Sequence, residues 1–332
     1  MVISRLYLLS VLLLIMATGA CQQVSISQDA RARSNEQKQK QKRQPQKQKA
    51  PAPSSDVYGP PVKLGDLEDK AISESSGLVA SRTSPGNYWT HNDSGNGPVI
   101  YAFDSQGRRR GVWRVTGAIS DDWEDMAPGP GPKPNVSYLY IGDIGDNDGT
   151  RSEIHLWRIP EPVVPAVDTG STEAKPAVTE AAEKIRLRYP DGKHDSEALL
   201  IHPTTGRIYV VTKVPLVNAT VYAADMPSDT REVVTLTRVG EVEIPGLAGG
   251  IITGGDISPD GLRLALCDYF NGYEFVLKDP GSPFDSIWNG PPTVVDIGNR
   301  KHGETISYRL DGKALMSTSE RLPTPLFETI RK

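Results

Sequence analysis

Cysteine is almost absent from the 332-residue chain: Cys21 and Cys267 are the only two, so one disulfide at most is available and, should Cys21 be engaged otherwise, the core must hold the fold alone. A large excess of charge of one sign is absent too. With 37 Lys and Arg against 41 Asp and Glu the formal net charge is -4, which argues against a nucleic-acid partner and against a strongly acidic scaffold. The apolar stretch Leu6 to Met16 (LYLLSVLLLIM) is the nearest thing to a membrane span, and it is about half of the roughly 20 residues a bilayer requires. Sustained 3.6-residue periodicity is scarce, and 31 Gly with 27 Pro exceed what a helical protein tolerates. No Gly-x-Ser-x-Gly elbow, His-Glu-x-x-His pair or phosphate loop is present, which disfavours serine-hydrolase and nucleotide-binding readings.

What is there begins with a short positive stretch, Met1 to Arg5, followed by the apolar run and by the small residues Ala17 to Ala20 before Cys21. That order is a signal-peptide plan, with a retained anchor helix as the alternative. The Thr-Gly-Ala-Cys junction resembles the lipobox of bacterial lipoproteins, with Thr18 where that family usually has Leu. The resemblance implies a signal peptide over residues 1–21, lipidation of Cys21, and export to the cell envelope on a membrane anchor. Gln22 in the second mature position implies passage to an outer membrane where the host has one.

Residues 22–56 include QKQKQKRQPQKQKAPAPSS and have almost nothing to bury, so the composition predicts a disordered tether. A flexible coil of that length spans roughly 30 to 35 Å. Its eight basic residues between Arg31 and Lys49 are able to touch anionic headgroups, although a solvated spacer is the simpler reading.

From residue 57 to 332 the chain consists of short β-rich runs separated by Gly, Pro, Asp and Asn. Five units recur, opening with SESSGLVAS, DWEDMAPG, DSEALLIHP, TGGDISPDG and GETISYRLDG. Each is followed by a second strand: NYWTHND, SYLYIGD, RIYVVTK, LRLALCD and ALMSTSE. Third and fourth strands follow most pairs, among them VTLTRV, and the repeat of roughly 50 residues is that of four-stranded propeller blades. The last unit lacks an outer strand, and Pro61 to Leu67 supplies one from the other end, closing the ring and removing two open edges. An all-β fold, a single five-bladed β-propeller, is therefore expected. Six blades using the region 160–184, or a β-sandwich, are the alternatives. Thr172 to Lys184 has helix-like composition interrupted by Pro176 and reads as an inserted loop.

The runs ESSGLVAS, WTHNDSG, DWEDMA, YIGDIGDN, DSEALLIHP and GETISY resemble a family of bacterial propeller proteins, distantly similar to phytase-like esterase and lactonase-type propellers. The resemblance spans most of residues 71–320 and implies the fold, while function has to be argued from the site.

Blade strands alternate in direction, so starts of first strands and ends of second strands share one face of the disc. The starts are Ser76, Glu124, Glu197, Thr253 and Glu304; the ends are Asp93, Asp143 with Asp146, Lys213, Asp268 and Glu320. One mouth of the axial channel should be rich in carboxylates, which repel one another unless neutralised. Glu124, Glu197 and Glu304 are the candidate catalytic and metal-binding residues. Asp143 and Asp146 add metal ligands from one loop, and hard oxygen donors suit Ca2+ or Mg2+. The structural alternative is that these acids clamp neighbouring blades, with Lys213 completing an ion pair. His91, His194 and His302 adjoin the same strand ends as candidate ligands or bases, Trp123 is a candidate to line the mouth, and His155 and His202 read as structural. The leading expectation is a membrane-tethered propeller that binds a small-molecule or protein ligand on this acidic face through a divalent cation. The rival is a metal-dependent hydrolase of phosphoesters or lactones, in which Glu124, Glu197 and Glu304 hold the cation that activates water.

Overall fold

The computed structural model describes residues 56–93, 95–215, 217–244 and 249–332. The signal peptide, Cys21 and the tether up to residue 55 lie outside the described residues.

Five sheets, each built on four antiparallel strands, make the five blades of a β-propeller. Blade 1 runs outward from the axis as Ser75–Ala80, Asn87–Asn92, Val99–Asp104 and Arg109–Thr116. Blade 2 comprises Trp123–Gly129, Tyr138–Asp143, Ile154–Pro160 and Glu183–Arg188, and blade 3 Ser196–Ile201, Ile208–Thr212, Ala219–Ala224 and Thr237–Val242. Blade 4 comprises Gly254–Ile257, Arg263–Cys267, Asn271–Val276 and Thr293–Asp296. Blade 5 takes Ser307–Tyr308, Ala314–Ser317 and Pro325–Ile330 from the end of the chain and its outer strand, Val62–Asp66, from the start. That strand pairs antiparallel with Pro325–Ile330, Val62 opposite Glu328 and Asp66 opposite Pro325, so the ring closes as the missing strand implied. Gly261 and Gly312 take φ of 72° and 67° in the hairpins where tight turns were expected.

Inner strands are buried along their whole length because a neighbouring blade packs on each face, and they read as continuous runs instead of alternating ones. Outer strands such as Glu183–Arg188 keep the alternation of a half-solvated sheet. The core is accordingly five apolar layers, one between each pair of adjacent blades. The layer between blades 1 and 2, for example, contains Val79, Trp89, Trp123, Met126 and Ile141. Cys267 is buried in the layer between blades 4 and 5.

Two outer segments depart from the sequence reading. Thr172 to Lys184 is largely extended: Ala177–Ala181 adds to blade 1 as a fifth, parallel strand, with Trp113 opposite Ala177. The VTLTRV run is divided, Val233–Thr235 pairing parallel with the outer strand of blade 2 and Thr237–Val242 serving as the outer strand of blade 3. In both cases chain crossing between blades covers an edge that would otherwise expose unpaired N–H and C=O groups, and that demand outweighs local composition.

Near the axis the blades are tied by side chains. The buried Asp125 of blade 2 accepts hydrogen bonds from Leu199 N of blade 3 (3.0 Å) and Gly255 N of blade 4 (3.2 Å). Asp256 of blade 4 accepts from Ser307 Oγ (3.1 Å) and Tyr308 N (2.8 Å) of blade 5. Ser75 of blade 1 meets Thr318 of blade 5 at 2.7 Å, and Ser76 donates to Glu124 O of blade 2.

Candidate functional site

Two of the three glutamates occupy β-bulges. In blade 2 Trp123 pairs with Asp143 and Asp125 with Gly142, so Glu124 is the extra residue; in blade 3 Ser196 pairs with Thr212 and Ala198 with Val211, leaving Glu197 extra. A bulge frees one residue from the ladder and re-aims its side chain, here at the start of an axial strand. Glu304 stands three residues before the inner strand of blade 5. All three are about 5% exposed, yet they feel one another's charge. Burial and then the Glu197 charge push Glu124 well above the usual carboxylate range, with Asp93 and Asp122 adding to the shift. Burial and Glu304 raise Glu197. Burial raises Glu304 to about 7 against the opposing pull of His302 and Lys213.

Cations answer part of this repulsion. Lys213 Nζ contacts Glu197 Oε1 and stands 5.4 Å from the centre of the Tyr269 ring. His302 Nδ1 lies 2.8 Å from Glu304 Oε1 and 2.9 Å from Glu320 Oε2, and its ring packs on Tyr269 at 4.4 Å. Burial pulls the His302 pKa down, but the two carboxylates outweigh it and raise it to about 9.

At Glu124 no cation of the described residues is in contact. Its carboxylate accepts no hydrogen bond from the described residues, and its ligand oxygen lies within 4.8 Å of those of Asp93 and Asp122. Gly145 forms the floor of this group: a Cβ there would overlap Glu124 Oε1 and Asp122 Oδ2. Three carboxylates thus converge over a backbone that has been cleared for them.

Asp143 and Asp146 serve the loop beneath. Asp143 is wholly buried, with Oδ1 accepting from Asp122 N (3.1 Å) and meeting Arg151 Nη1 at 2.8 Å. Asp146 accepts from Thr150 N (2.7 Å) and Arg151 N (3.0 Å), and its own N–H donates to Asp195 Oδ1 of the next blade (2.8 Å). The structure therefore places Glu124 within electrostatic reach of Glu197 and Glu197 within reach of Glu304, while Asp143 and Asp146 hold the segment that carries Gly145 and Asp143 also groups with Asp121 and His155, their ligand atoms within 4.8 Å of one another.

The other sequence candidates divide. His91 is fully buried edge-on to Trp123 at 5.6 Å, and burial lowers its pKa to about 4, so it packs as a neutral ring. Trp123 itself is buried and donates Nε1–H to Ile119 O (3.0 Å), which corrects the expectation that it lines the mouth. His194 bonds Asp191 and Tyr222, each at 3.0 Å. Asp268 is spent on its own turn, accepting from Phe270 N and Asn271 N, both at 2.6 Å. Sequence reasoning missed Tyr269 and the partnership of Asp122 with Glu124; the latter was legible as two acids two residues apart at a strand start.

No family model matches this chain, and no curated protein matches it. Among solved structures, hydrazine synthase of Kuenenia stuttgartiensis matches with a TM-score of 0.40 and 11% identity, over 78% of this chain and 71% of that one. A likeness at that level carries no argument about function; the propeller fold stands on the strand pairing described above.

Proposed function

We propose that Asp93, Asp122 and Glu124 hold a divalent cation, Ca2+ or Mg2+, and that the acidic mouth binds an anionic small molecule or protein partner through it. The observation that carries this reading is Glu124: deeply buried, unpaired, and driven toward protonation by its neighbours. A cation would relieve the repulsion that Asp93 and Asp122 exert on Glu124, and an all-oxygen donor set is the kind hard ions choose. The same proposal includes export and lipid anchoring at Cys21, which rest on residue order alone, and kinship with phytase-like and lactonase-type propellers, which rests on the quoted motifs. Turnover of phosphoesters or lactones takes second place, because Glu197 is engaged by Lys213 and Glu304 lies against His302. Calorimetric titration of Ca2+ into the full chain should give saturable binding that disappears in Glu124→Gln while the fold persists. A flat titration of the wild type with both Ca2+ and Mg2+ contradicts the proposal.

A further inference from the structure

Across the mouth a second group has different chemistry. Glu320 follows the second strand of blade 5, and its N–H donates to His302 O at 2.8 Å, which sets the two side chains beside each other. Glu304 is two residues beyond His302 in the segment entering the inner strand. His302 Nδ1 stands 2.8 and 2.9 Å from the two carboxylate oxygens, yet it makes no aligned hydrogen bond: neither oxygen lies where an in-plane Nδ1–H would point. Glu304 is 5% exposed, and no other described residue donates a hydrogen bond to its carboxylate.

Three donor atoms at this spacing, all within 4.8 Å of one another, have the layout of ligands around an ion once the imidazole has given up its proton to bind it. Atoms about 2.0 to 2.2 Å from a metal are about 2.9 Å apart at right angles and about 3.4 Å apart in a tetrahedron. The Tyr269 ring packs on His302 with centroids 4.4 Å apart and limits rotation of the imidazole. We propose that His302, Glu304 and Glu320 form a metal site of their own, selective for Zn2+ and ions like it over Ca2+, since an imidazole nitrogen is a poor ligand for Ca2+ and a good one for Zn2+. This site does not depend on the hard-cation reading at Glu124, and the two share no ligand.

The test uses the full chain freed of metal and titrated with Zn2+, with Co2+ as a spectroscopic probe. Wild type should bind Zn2+ and show Co2+ d–d absorption. His302→Ala and Glu320→Gln should each weaken Zn2+ binding by about 10-fold or more, because loss of a direct ligand exceeds the 10- to 100-fold cost of losing a group behind one only in degree. Circular dichroism confirms that each variant is folded, and should His302→Ala fail to fold, Glu320→Gln decides. Glu124→Gln should leave Zn2+ binding unchanged while abolishing Ca2+ binding, so failure of either site is seen separately. No Zn2+ uptake by wild type, or wild-type affinity in folded Glu320→Gln, overturns the proposal.

Discussion

Removing the carboxylate of Asp125 should loosen the ring at its axis. Its oxygens accept three buried N–H groups: Met126 N at 2.8 Å, Leu199 N at 3.0 Å and Gly255 N at 3.2 Å. The last two belong to blades 3 and 4, so one side chain ties three consecutive blades. Each buried donor left without a partner costs about 1 to 3 kcal/mol. Against that, burial raises the Asp125 pKa well above the usual range despite the three N–H groups, so part of the gain is offset by the cost of burying the group. Asp125→Ala should therefore lose about 3 to 6 kcal/mol of stability, whereas Asp125→Asn, which keeps one acceptor oxygen, should lose about 1 to 3. Urea denaturation followed by tryptophan fluorescence reads both, since Trp89 and Trp123 lie in the adjacent apolar layer. A Asp125→Ala midpoint equal to that of wild type would refute the clamping argument.

Two further outcomes follow from buried charge. Burial raises Asp256 to about 6 from 3.8, so the folded protein holds this proton more tightly than the unfolded chain does. Its stabilising contribution is complete below about pH 4 and is lost as pH rises through 6, amounting to about 3 kcal/mol at most. The difference in stability between Asp256→Asn and wild type should change across that window, and a difference constant from pH 4 to 7 counts against it. Lys213→Met would leave Glu197 buried without its cation and should cost about 3 to 5 kcal/mol at neutral pH. Adding Glu197→Gln to the same chain should recover much of the loss; no recovery in chemical denaturation would show that Lys213 acts through other contacts.

Much of the architecture was legible because propeller units repeat: the acidic strand starts, the hairpin glycines and the orphaned strand at Val62–Asp66 all follow from local chemistry. The crossings were not. Ala177–Ala181 and Val233–Thr235 pair in parallel with strands far away in sequence, and no local pattern announces a distant edge that needs covering. At the mouth, strand direction alone indicated that Glu124, Glu197 and Glu304 share a face, but the bulges that re-aim two of them depend on pairing register. The acids of the loop 143–148 illustrate the opposite limit. Residue type cannot distinguish a carboxylate that faces a ligand from one, such as Asp146, that holds the N–H groups of its own loop. Of the three histidines at strand ends, only burial separates the packed His91 from His302, which meets two glutamates.

Convergence of acids at the axis as a cation seat is tested most directly by a crystal structure of the chain grown with Ca2+. The account predicts density among Asp93, Asp122 and Glu124 with oxygen ligands at about 2.3 to 2.6 Å. Well-ordered carboxylates at that position bridged only by water, with Glu124 turned away from Asp93 and Asp122, would contradict it.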